Sequence, residues 1–208
     1  MLDGERRAVV ENLPDLAALT PGRTGNLSAR DGDRFAITPT GVPYADVTAE
    51  DVPVLTLDGE QVAGRPAPSS ETPMHGGIYR AMDVGAVAHT HSPWATTLSV
   101  LGESLPPVHY MLALAGGEVP VADYATYGTE ELAANAVAAL TEADASACLL
   151  AHHGVVATGA SLADAVETAL AVESVARLYC QARTLGDPEP LPEDEIEAVA
   201  DKFDEYGQ

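Results

Sequence analysis

The segment spanning residues 161–179 restricts the fold more than any other. Ser161 and Asp164 form a capping-box pattern, and Leu162, Val166, Ala169, Val172, Ala176 and Tyr179 then recur at helical spacing. A helix with one apolar stripe must lay that stripe on another element. Short apolar runs of strand character are available. Residues 85–90 carry small and β-branched side chains, and residues 148–152 are apolar up to a break at Gly154, beyond which residues 155–158 are expected to continue the strand.

Weaker signals extend the same alternation. Residues 20–26 are a run of turn formers, followed by short strands at 27–29 and 35–38 with a hairpin turned at Gly32. Residues 52–62 read as a strand pair around Asp58-Gly59, ahead of a proline-rich loop at 65–68. Pro73 suits the first turn of a helix running to about Met82, and further helices are expected from Pro93 or Trp94, over 130–142, and over 193–203. Residues 108–127 carry no clear pattern. With no internal repeat, the 208 residues are expected to form one domain, a layered α/β/α (α+β) fold around a central mixed sheet.

Charge narrows the partners. The formal net charge is −22 and the only lysine is Lys202, so there is no basic patch for nucleic acid or an anionic membrane. No stretch approaches the ~20 apolar residues of a membrane span, and residues 1–19, with Asp3, Glu5, Arg6 and Arg7 ahead of a broken apolar pattern, lack a signal peptide's shape. The expected location is cytoplasmic. Cys148 and Cys180 sit far apart in apolar surroundings and read as reduced core residues.

Side chains two apart on a strand share a face, so His89 and His91 can present two imidazoles to one cation. His152 and His153 follow the second apolar run, and because neighbours face opposite ways one of the two is expected to join them. Three histidines with an open position suit catalysis better than a closed structural site. Ser69-Ser70-Glu71 opens a helix and offers hydroxyls and N–H groups to an anion, although alone it reads as an ordinary N-cap. Gly25-Asn26 and Thr38-Pro39-Thr40-Gly41 alone read as turns. A chain so poor in cations must hold a phosphate with hydroxyls, backbone N–H groups and a metal, and these segments supply the first two.

Taken in order, Gly25-Asn26-Leu27-Ser28, Ile37-Thr38-Pro39-Thr40-Gly41, Pro68-Ser69-Ser70-Glu71, His89-Thr90-His91, Val108-His109-Tyr110-Met111, Tyr124-Ala125-Thr126-Tyr127-Gly128 and His152-His153-Gly154 resemble the class II aldolase and adducin family, and within it the L-fuculose-1-phosphate aldolases. The likeness runs from about residue 20 to the C-terminal segment. It implies zinc, one per subunit, on His89, His91 and His153. Glu71 is implied as a fourth ligand in the empty site and as the acid/base. Asn26, Thr40, Gly41, Ser69 and Ser70 match phosphate-binding positions, with Gly25 beside them, and Tyr110 and Tyr206 match tyrosines that reach a neighbouring subunit's site in a four-fold symmetric homotetramer. The implied reaction is retro-aldol cleavage of a ketose 1-phosphate to dihydroxyacetone phosphate and a short aldehyde such as lactaldehyde.

Competing functions within the family share this metal chemistry. A pentulose-5-phosphate 4-epimerase is favoured slightly by Thr72 and His75, but such epimerases carry Asp in place of Glu71 and lack the His109-Tyr110-Met111 pattern. A methylthioribulose-1-phosphate dehydratase is a further alternative. An adducin-like binding module would lack the three histidines.

The acidity also carries an expectation about salt. Molar salt shortens the screening length to ~3 Å and relieves repulsion among carboxylates, which suits a salt-rich cytoplasm. The melting temperature should therefore rise between dilute buffer and molar potassium chloride, and a flat or falling curve would remove the halophilic reading.

Overall fold

The computed structural model describes residues 1–205, with side chains as far as Phe203; Tyr206 lies outside the described residues. β1 (Asn26–Asp31) and β2 (Arg34–Ile37) form the expected hairpin, and Gly32 turns it at φ 61°, a left-handed conformation that costs glycine nothing. β3 (Val54–Thr56) and β4 (Gln61–Ala63) pair around Asp58-Gly59. With β5 (Ala86–Thr90), β6 (Val121–Ala122), β7 (Ala147–Leu150) and β8 (Gly154–Gly159) they build one eight-stranded sheet, ordered β4-β3-β2-β1-β5-β8-β7-β6. Only the β6–β7 pair is parallel, so the sheet is mixed and mainly antiparallel.

The described residues form six α-helices, α1 (Asp3–Leu19), α2 (Thr72–Ala81), α3 (Pro93–Leu101), α4 (Glu130–Glu142), α5 (Leu162–Ala182) and α6 (Glu193–Glu205), the first five of which cover the sheet. α1, α3 and α5 pack on one face, where Leu16, Leu98, Val172 and Ala176 meet Ala86, Ala88, Leu149 and Val155. α2 and α4 pack on the other, where Met74, Ile78, Leu132 and Ala136 meet Val87, Cys148, Leu150 and Val156. The alternation of Ala86, Val87 and Ala88 between the two cores is the period-two pattern of a strand buried on both faces. The capping box at the start of α5 is complete: Ser161 Oγ accepts from the Asp164 N–H at 3.3 Å and the Asp164 carboxylate accepts from the Ser161 N–H at 2.9 Å.

Three parts of the chain differ from the sequence-based expectation. α1 has no counterpart in that expectation, and Pro14 lies inside it. Val9, Leu13, Leu16 and Leu19 nevertheless form a buried stripe against β1, and tertiary burial overrides the missing N–H of Pro14. Residues 155–158 do not prolong the strand that ends at Leu150. The chain reverses through Ala151-His152-His153, with His152 at φ 57°, and β8 returns antiparallel so that Leu150 faces Gly154. Residues 108–127 hold a 3-10 helix, Tyr110–Ala115, against which α6 packs, and the short edge strand β6.

Gly154 makes that reversal compatible with the sheet. A Cβ there would overlap the Thr90 carbonyl oxygen and stand 3.2 Å from His91 Cδ2, so only glycine lets β8 close on the end of β5 where the histidines sit. Cys148 is buried and Cys180 half-buried, both as free thiols.

Candidate functional site: three histidines beside a buried carboxylate

The site gathers at one end of the three central strands. In the register of β5 against its neighbours, Asn26 of β1 lies opposite His89, and Val155 of β8 lies opposite Thr90. His89 is fully buried near the end of β5, His91 follows one residue past it, and His153 sits on the β7–β8 reversal. One ligand atom from each of the three lies within 4.8 Å of the others, and His89 Nε2 and His91 Nε2 are 3.0 Å apart. The three rings meet edge to face with centroids 4.8–4.9 Å apart. His152, the alternative, turns away; its ring faces Tyr124 at 6.1 Å.

Protonation suits a cation. Burial holds His89 well below the ordinary histidine range, helped by the neighbouring imidazoles, and holds His153 at about 4; burial also lowers His91. All three present neutral lone pairs near pH 7. His89 Nδ1 donates to the Val155 carbonyl at 2.9 Å, which fixes the tautomer and leaves Nε2 bare toward the other two rings.

Glu71 completes the cluster of titratable groups. It caps the start of α2, is 4% exposed, and its Oε2 has no hydrogen-bond partner. Burial pushes its carboxyl up to about 7, partly offset by a hydrogen bond from the Gly128 backbone. The three bare imidazoles form a group that could hold a metal ion, and the half-satisfied Glu71 carboxylate lines the same cleft as His91 and His153.

A cleft of about 400 Å³ opens in front, lined by Gly25, Asn26, Thr40, Gly41, Ser69, Ser70, Glu71, His91 and His153, with His89 behind them. Every phosphate-site residue suggested by the sequence thus meets the histidines. The backbone part of that suggestion needs correction: the Thr40 N–H donates to Ala67 O, the Ser69 N–H to Thr38 O, and the Glu71 N–H to Ser69 Oγ. The Gly41 and Ser70 N–H groups make no such bond and remain as donors, together with the hydroxyls of Thr40, Ser69 and Ser70 and the Asn26 carboxamide. Sequence reasoning also missed Arg23, which lines the same cleft and donates to the Gly41 carbonyl at 3.2 Å. Its place within the turn run Thr20-Pro21-Gly22-Arg23, three residues before Asn26, was the available signal. Tyr110 is not brought to the cleft of its own chain; it is 48% exposed and stacked on His109.

Comparison with known proteins identifies the family. Residues 7–180 match the family described as Class II Aldolase and Adducin N-terminal domain. A 5-methylthioribulose-1-phosphate/5-deoxyribulose-1-phosphate aldolase from Rhodospirillum rubrum is 43% identical over 99% of this chain and 96% of its own length. An L-fuculose phosphate aldolase from Escherichia coli is 40% identical over 91% of this chain and 88% of its own. The solved structure of an L-fuculose 1-phosphate aldolase superposes with a TM-score of 0.92 at 40% identity, covering 97% of this chain and 96% of that one. The protein is an enzyme of the class II aldolase and adducin family.

Proposed function

We propose that the enzyme cleaves a ketose 1-phosphate by a zinc-dependent retro-aldol reaction, releasing dihydroxyacetone phosphate and a short aldehyde. The observation that carries this reading is the convergence of three unprotonated imidazoles and one buried, half-satisfied carboxylate on a cleft walled by hydroxyls and an amide. A zinc ion held by His89, His91 and His153, one per subunit, would supply Lewis acidity toward the ketose carbonyl. The names of the relatives share a ketose phosphate and differ beyond it, between a fuculose and a 5-substituted ribulose.

The chain's own groups account for the remaining needs. Thr40, Ser69, Ser70, Asn26 and Arg23 hold the phosphate and so place the scissile bond at the histidines. A base removes the proton from the hydroxyl on the aldehyde side, the carbon–carbon bond breaks, and its electron pair stays with the fragment that carries phosphate. Glu71 then delivers a proton to that carbon; a carboxyl pushed up to about 7 is suited to gaining and losing a proton near neutrality. Tyr110 is assigned to the aldehyde-side oxygen of a neighbouring subunit, a role supported by its exposure and its separation from its own cleft. The enzyme would then work as a cytoplasmic homotetramer with shared sites.

Two outcomes are expected. Incubation with a panel of ketose 1-phosphates and 5-phosphates should release dihydroxyacetone phosphate from a 1-phosphate, with activity lost on chelation and restored by zinc; epimer or dehydration product instead would replace the aldolase reading. Mixed tetramers from co-expressed His153→Ala and Tyr110→Phe chains should recover roughly a quarter of sites, because an intact site then takes its histidines and its tyrosine from different chains. Activity equal to the average of the two separate variants would place Tyr110 outside the shared site.

A further inference from the structure

Behind the cleft runs a buried chain of side chains of which the proposed chemistry uses only Asn26. Asn26 and Ser28, two apart on β1, point to one face of the sheet, and His75 and Tyr79, four apart on α2, point back at them. All four are at most 4% exposed. Tyr79 OH lies 2.7 Å from Ser28 Oγ, Ser28 Oγ lies 2.6 Å from His75 Nδ1, and His75 Nε2 lies 2.5 Å from Asn26 Oδ1.

The hydrogens in this chain can run in only one direction. The groups that meet the Tyr79 oxygen are the Ser28 hydroxyl and the Val87 backbone N–H. The N–H cannot accept, so the phenol hydrogen goes to Ser28. Ser28, already accepting, sends its own hydrogen to His75 Nδ1. Burial holds His75 at about 3, so its ring is neutral and carries one hydrogen, which the occupied Nδ1 lone pair confines to Nε2. Nε2–H then donates to Asn26 and requires an oxygen there.

The consequence falls on the cleft, which Asn26 lines. A carboxamide is nearly symmetric in shape, and a 180° flip exchanges a two-hydrogen donor for an acceptor. We infer that Tyr79, Ser28 and His75 form a hydrogen-bond wire whose polarity holds the Asn26 oxygen inward and turns its NH₂ toward the substrate phosphate. His75 is thus a positioning residue, acting on a phosphate through Asn26. The inference rests on the phosphate reading of the cleft given above.

The wire has a direct spectroscopic test. In full-length, zinc-loaded protein labelled with ¹⁵N-histidine, the long-range ¹H–¹⁵N correlations of His75 should show a hydrogen on Nε2 and a bare Nδ1 across neutral pH. Ser28→Ala should lose that single tautomer and weaken inorganic phosphate about tenfold by calorimetry, about 1.4 kcal/mol, with zinc stoichiometry unchanged. Tyr79→Phe, which keeps the ring volume, should move both readouts the same way and serves if Ser28→Ala does not fold. Phosphate binding by wild-type protein with His75 protonated on Nδ1 would overturn the wire alone. Absence of phosphate binding with the expected tautomer would overturn both the purpose given to the wire and the phosphate reading of the cleft.

Discussion

The antiparallel register of β5 between β1 and β8 is the constraint on which the rest of the site depends. It sets Asn26 across from His89 and Val155 across from Thr90, so one strand end joins an amide of the cleft, a buried ring of the histidine cluster and the carbonyl that orients that ring. A slip of one residue would exchange the two faces of β5, exposing His89 to the apolar layer beneath α1 and α5 and sending Ala88 toward the cleft. Both faces of β5 are buried, which is why the register is so strongly specified. Gly154 allows the last rung of this pairing to close, and the reversal that follows Leu150 lifts His153 into place.

Electrostatics at the site run against those of the surface. The chain carries a formal charge of −22, yet the cleft is lined by one carboxylate, Glu71, and one guanidinium, Arg23. Glu71 is moreover pushed by burial to the edge of neutrality, which spares an incoming phosphate part of the repulsion that the rest of the protein would impose. Among the uncharged groups at the site, His89 and Asn26 each have a buried hydrogen-bond partner, the Val155 carbonyl and the His75 ring. The side chains behind the cleft are hydrogen-bonded to one another, while Glu71 Oε2 is left unpaired.

Much of this could be read from residue order. The Ser161–Asp164 capping box, the turns at Gly32 and Asp58-Gly59, and the period-two spacing of His89 and His91 are local signals whose physics does not depend on distant contacts. What could not be read depends on tertiary packing. α1 is held by a stripe of four apolar residues against β1 despite Pro14, and β6 is an edge strand of two residues whose partner, β7, lies far along the chain. The backbone N–H groups near Thr40 and Ser69 looked free in sequence because their acceptors, Ala67 and Thr38, are brought in by the crossing of two loops. Arg23 was passed over for a related reason: a lone arginine in a turn gains meaning only when Gly41 is placed beside it.

Everything proposed for the site requires that His89, His91 and His153, held neutral and close together, bind one divalent cation. Titration of zinc into the metal-free protein, followed by calorimetry and elemental analysis, tests it most directly. The account predicts one ion per chain for the wild type and loss of that ion when His89 and His153 are both replaced by alanine, with the far-ultraviolet circular dichroism unchanged. Binding of zinc at the same stoichiometry and affinity by the double variant would contradict it.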